Sequence, residues 1–98
     1  MTNEQLMDAM RLEGYGDLCW IQGKLCGTIS LFTTTALVVG FSEYSYERRY
    51  CYVDRRDTVQ ALQTYTNLSE HPSGNWVKVK GVMNNRVLDD VNPNWSNL

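Results

Sequence analysis

A chain of 98 residues with 43% hydrophobic and 20% charged side chains has the balance of an ordinary globular domain and is too short to divide into two, so residues 1–98 are read as one domain. Nine Lys and Arg against eleven Asp and Glu leave a net charge of −2. That balance excludes a surface-wide grip on duplex nucleic acid and falls short of a phosphate-backbone mimic.

The first residues, Met1-Thr2-Asn3-Glu4-Gln5, are polar and lead into helical periodicity rather than an apolar signal core. Thr2 or Asn3 can cap a helix running to about Leu12, with Leu6, Met7 and Met10 on one apolar face. Gly14-Tyr15-Gly16-Asp17 ends it. Leu18-Cys19-Trp20-Ile21 and Leu25 form a first strand-like run broken by Gly23, and 28–32 and 36–41 read as two further strands rich in β-branched and aromatic residues. After the polar break at Glu43-Tyr44-Ser45-Tyr46, residues 48–53 alternate. Arg49, Cys51 and Val53 fall on one face and Arg48, Tyr50 and Tyr52 on the other.

Asp54 or Asp57 can cap a second helix to about Tyr65, with Val59, Leu62 and Tyr65 toward the sheet. A loop at 70–74 precedes a last strand, 75–80, with Val77 and Val79 inward and Trp76, Lys78 and Lys80 outward. Residues 81–98 are polar and Asn-rich, with turn chemistry at Asn92-Pro93-Asn94, and are expected to form an irregular tail. Asp89-Asp90 within it reads as solvated loop charge. The order is α-β-β-β-(β)-α-β. It specifies an α+β domain: an antiparallel sheet of four or five strands with both helices on one face.

Nothing in the chain assembles an enzyme. His71 is the only histidine and stands before a proline in a loop. Cys19, Cys26 and Cys51 show no spacing that pairs any of them with it. The same four side chains lack the close Cys-x2–4-Cys pair that fixes a structural zinc site. No catalytic residue, metal or cofactor is therefore assigned; whether the four converge in space is a question for the fold. The longest apolar stretches, such as Ala36-Leu37-Val38-Val39, fall far short of the ~20 residues of a membrane span. With no export signal the thiols are expected to stay reduced, in the cytoplasm.

The residues that stand out are surface chemistry. Tyr44, Tyr46, Tyr50 and Tyr52 interleave with Arg48, Arg49, Arg55 and Arg56, and Trp76 lies beside Lys78. Tyr, Trp and Arg dominate interface hot spots, so Tyr44, Tyr46, Arg48, Arg49, Tyr50, Tyr52, Trp76 and Lys78 form the candidate partner-binding set. Rings that stack on bases beside cations that meet phosphates also describe a single-stranded nucleic-acid binder; Glu43, Glu47, Asp54 and Asp57 weaken that alternative. Trp95 in the tail fits a core plug or a partner contact equally well. Unprotected sheet edges also leave a homodimer through an edge strand open.

Phe32-Thr33-Thr34 leading to Val38-Val39-Gly40, Arg49-Tyr50-Cys51-Tyr52, and the run from His71-Pro72-Ser73-Gly74-Asn75-Trp76 to Gly81 resemble small proteins encoded by bacteriophages and prophages. The closing Asn92-Pro93-Asn94 belongs to the same pattern, which covers the chain from Leu25 to Trp95. The resemblance implies a phage accessory protein in the bacterial host cytoplasm, acting by occupying a host protein or complex. Inhibitors of defence systems such as CRISPR–Cas are similar in size and in lacking an enzyme site. That step is an analogy of class.

Overall fold

The computed structural model describes residues 2–42, 45–80 and 88–91, with 79–80 and 88–91 described by their backbone. Helix α1 spans Asn3–Leu12 and is closed by a reciprocal capping box: Thr2 accepts from the Gln5 N–H while the Gln5 side chain accepts from the Thr2 N–H. Strands β1 (Gly16–Ile21), β2 (Lys24–Ser30), β3 (Thr35–Val39) and β4 (Arg48–Tyr52) follow. Helix α2 (Arg55–Thr64) is capped by Asp54, whose carboxylate accepts from the Arg56 N–H. Strands β5 (Val77–Lys80) and β6 (Leu88–Val91) complete a sheet of order β1-β2-β3-β4-β5-β6, antiparallel throughout.

The α+β class and the element order are those expected from the sequence. Three details differ. Gln22 and Gly23 both have positive φ, 50° and 81°, and Ile21 lies opposite Lys24. This is a two-residue hairpin turn of the kind that matches strand twist, so β2 begins at Lys24 and absorbs Leu25. Second, Leu88–Val91, including Asp89-Asp90, forms a sixth strand beside β5 within the stretch expected to be irregular. The rest of that stretch, with Asn92-Pro93-Asn94 and Trp95, lies outside the described residues.

Third, the helices cover opposite faces of the sheet. Cys26, Leu37, Val39, Tyr50 and Tyr52 pack with Ala61 and Leu62 of α2, with its C-cap Tyr65, and with Trp76. Leu25, Ala36, Val38 and Cys51 pack with Met10 of α1, and with Phe41. Apart from Thr35, both alternating sets of β3 are apolar, and all five of its residues are buried, so this strand has no solvent face and needs cover on both sides. Gly27 makes room on the α1 side. A Cβ there would lie 2.8 Å from Leu18 Cδ2 and 3.0 Å from Met10 Cε, and Met10 is fully buried.

Candidate protein-interaction site

The structure disperses the candidate set. Tyr50 and Tyr52 are buried between the sheet and α2, and Trp76 joins them; their expected exposure is corrected. The reason is register. Tyr50 lies opposite Leu37 and Tyr52 opposite Thr35 on the face that α2 covers. Their polar tips are satisfied internally. Tyr52 Oη donates to the Ser73 carbonyl at 2.7 Å, and Trp76 Nε1 to the Pro72 carbonyl at 2.9 Å. Tyr50 Oη lies 3.3 Å from His71 Nδ1. Arg48 donates through one terminal nitrogen to Tyr65 Oη at 3.1 Å and to the Leu68 carbonyl. These residues tie the loop after α2 to β4. They offer bases no stacking platform, since their rings lie under the helix.

Lys78, half-buried, sits opposite Tyr50 on the same face. Arg49 points to the α1 face and is buried, with its guanidinium over the Tyr46 ring at 5.9 Å. Tyr46 is half-buried, and Tyr44 lies outside the described residues. Cys19 and Cys26 are cross-strand partners on the α2 face, whereas Cys51 is on the α1 face, so these three thiols and His71 do not converge. Among the described residues no group of three or more His, Cys, Asp or Glu side chains comes together. Burial pushes the Cys26 thiol up to about 11, and burial together with the nearby Asp17 carboxylate raises that of Cys19. Both shifts run opposite to what a thiolate nucleophile needs.

A different surface is built for contact. Strand β1 is an edge of the sheet, and among the described residues nothing pairs with its outer side. Between it and α2 runs a groove of about 410 Å³ lined by residues 17–21 on one wall and by Val59, Leu62, Gln63 and Tyr65 on the other. Consecutive residues of one strand line a groove only when its backbone edge forms the wall. The groove's width is pinned at both ends. Asp17 accepts from Thr28 Oγ1 at 2.6 Å and from Arg55 at 3.2 Å, and Gln22 Oε1 accepts from the Leu68 N–H at 2.7 Å.

The ladder shows which main-chain groups face outward. The Leu25 carbonyl accepts from the N–H groups of Gly40 and Phe41, on the far side of β2 from β1. Leu25 is opposite Trp20, so this is a non-hydrogen-bonded pair, and the Trp20 N–H and C=O point to the open edge. The Trp20 side chain, on the other face of the strand, is 38% exposed. The bulge between Gly16 and Cys19, with Asp17 at φ 53°, limits the straight open stretch to 19–21.

Sequence reasoning had placed open edges on the sheet without saying which strand would hold one. The signal was the Gln22-Gly23 turn, which makes the 16–21 run an outer strand of a hairpin. Residues that line the groove from α2 carry no such mark, because Val59 at helical spacing reads as core. The helix is in fact rotated to bury Thr58, Ala61 and Leu62, leaving Val59 half-buried at the groove. No helix among the described residues is long and apolar enough to cross a membrane. Comparison of the chain with protein-family models, with curated proteins and with solved structures gave no match in any of the three.

Proposed function

We propose that the protein is a non-enzymatic binding domain that receives an extended segment of another protein along the open edge of β1, with side chains of that segment seated in the β1–α2 groove. The outward-facing main chain of Trp20 beside a preformed groove carries this reading. Main-chain hydrogen bonds to a sheet edge supply affinity, and the adjoining groove selects alternate side chains. A second copy of the chain is a poorer occupant. Its own β1 would bring Cys19 and Ile21 toward the groove, and both already pack in that copy's α2-face core, so it has no side chains to give. A foreign segment in extended form does.

The depth of Tyr50, Tyr52 and Trp76 argues for this surface over the Tyr–Arg cluster and over single-stranded nucleic acid. Occupation of a host protein by a phage accessory protein, in the host cytoplasm and to the detriment of a defence complex, is the setting that the resemblance of the motifs lends to it.

The test is selection of binders from a library of displayed random peptides, followed by amide exchange of the complex. The selected peptides are expected to protect the Trp20 N–H and to lose binding at least tenfold to Trp20→Pro, which removes an edge donor without touching the ladder. Trp20→Val is the control for the side chain. Gln63→Trp, at an exposed position of the groove wall, is expected to obstruct entry. Peptides that bind Trp20→Pro and Gln63→Trp as tightly as the parent would sink the reading.

A further inference from the structure

On the opposite side of the sheet, Arg49 presents an unusual problem. It is 6% exposed, yet no carboxylate stands within ion-pair distance of it among the described residues; the ion pairs there are Arg11–Asp8, Lys24–Glu47 and Arg55–Asp17. Its Nε, like that of Arg48, is sealed from solvent without a hydrogen-bond partner. Arg48, however, bonds Tyr65 and the Leu68 carbonyl through a terminal nitrogen, and no such bond anchors Arg49 among the described residues. A buried cation without a counter-charge is costly, and proteins relieve that cost by pairing it. The face of the Tyr46 ring gives partial relief only. A second ring pair stands alongside: Tyr15 and Phe41, with centroids 5.4 Å apart. Tyr15 is in electrostatic reach of both Tyr46 and Arg49, and of Glu13. Neither Tyr15 nor Tyr46 has a hydroxyl hydrogen bond to a described residue, and both are half-buried.

We infer that Arg49, Tyr46 and Tyr15 form a receptor for an oxyanion, a carboxylate or a phosphate group, on the α1 face. Arginine offers a planar fork of donors that matches either group, and tyrosine hydroxyls can complete its coordination. The Tyr46 ring holds the guanidinium from one side, and the terminal nitrogens and the two hydroxyls meet the anion. Glu13 is the local competitor, a carboxylate near Tyr15 that does not pair with Arg49. The site stands apart from the β1 groove, on the other face of the sheet, so neither depends on the other.

The experiment follows the arginine side-chain Nε–Hε signals of the intact protein by NMR during titration with inorganic phosphate, and separately with acetate, at constant ionic strength set by chloride. A saturable shift of the Arg49 signal with either anion is expected. It should weaken several-fold in Tyr46→Phe and tighten in Glu13→Gln. A response to phosphate alone identifies a phosphoryl group as the ligand, and a response to both identifies any oxyanion, including an acidic side chain of a partner. No saturable shift with either anion up to tens of millimolar overturns the inference. So does a global response that persists unchanged in Arg49→Met, which would place the binding at other cations. Because that variant exchanges a buried charge for an apolar chain of similar length, its folding is checked by the dispersion of the amide spectrum.

Discussion

The α2 face and the α1 face of the sheet draw on the same residue types and use them differently. Under α2, Arg48, Tyr50, Tyr52, Tyr65 and Trp76 direct their polar tips to carbonyls or side chains of the 68–73 loop or to one another. Tyr50 also packs edge-on against Tyr65 and Trp76, with centroids 6.3 and 5.4 Å apart. Under α1, the apolar cluster around Met10 is topped by Arg49, Tyr46 and Tyr15, whose polar atoms find no such partners among the described residues. An aromatic–arginine cluster is thus structural where its hydrogen bonds close internally and available for binding where they do not. Arginine and tyrosine occur in both cases, and the Nε of each arginine is buried without a partner. What separates them is that the Arg48 terminal nitrogen and the tyrosine hydroxyls under α2 are bonded, whereas among the described residues their counterparts under α1 are not.

The widest gap between the faces should appear on truncating the aromatic layer. Trp76→Ala removes a buried ring and leaves the Pro72 carbonyl without its donor. A loss of about 3–5 kcal/mol is expected in urea unfolding; a loss under about 1 kcal/mol would show that the layer under α2 is not a core.

The two adjacent arginines give the sharpest contrast. Arg48→Met strips the Leu68 carbonyl and Tyr65 of a donor and should destabilise by about 1–3 kcal/mol. Arg49→Met removes a buried charge with no counter-ion among the described residues and should be neutral or stabilising by about 1–4 kcal/mol. Equal losses in the two variants would erase the distinction between the faces.

The smallest effect concerns pH. The Cys26 thiol titrates at about 11 in the folded chain against 9.0 for an exposed thiol, chiefly because burial disfavours the thiolate. A raised folded value means that the native state holds the proton more tightly. Its contribution to stability is complete below pH 9 and lost as pH rises through about 11. Comparing the alkaline slope of stability in the parent and in Cys26→Ala tests this: the slope should be shallower in the variant, and an unchanged slope would show that Cys26 is not the group responsible.

Much of the fold was legible because local signals carry it. Thr2 or Asn3 at one start, and Asp54 or Asp57 ahead of an amphipathic run at the other, mark the helix starts, and the structure selects Thr2 and Asp54 as the caps. Alternation and β-branching mark β3 and β4. The candidate site was legible only as a list of residue types. Tyr50 and Tyr52 alternate with Arg49 and Cys51 in the chain, and period-two alternation separates two faces without saying which of them is covered. The expectation of a single helix-bearing face made one of the two sets appear exposed.

What the amino-acid sequence determined by itself is the α+β class, the helix starts and the strand composition, since each depends on residues within a few positions of one another. What only tertiary structure decided is which helix covers which face, which strand is left as an open edge beside a groove, and which arginine is paired. Those depend on strand order and helix placement, where residues such as Arg48 and Leu68, or Asp17 and Arg55, meet across long stretches of chain, and no local pattern encodes such meetings.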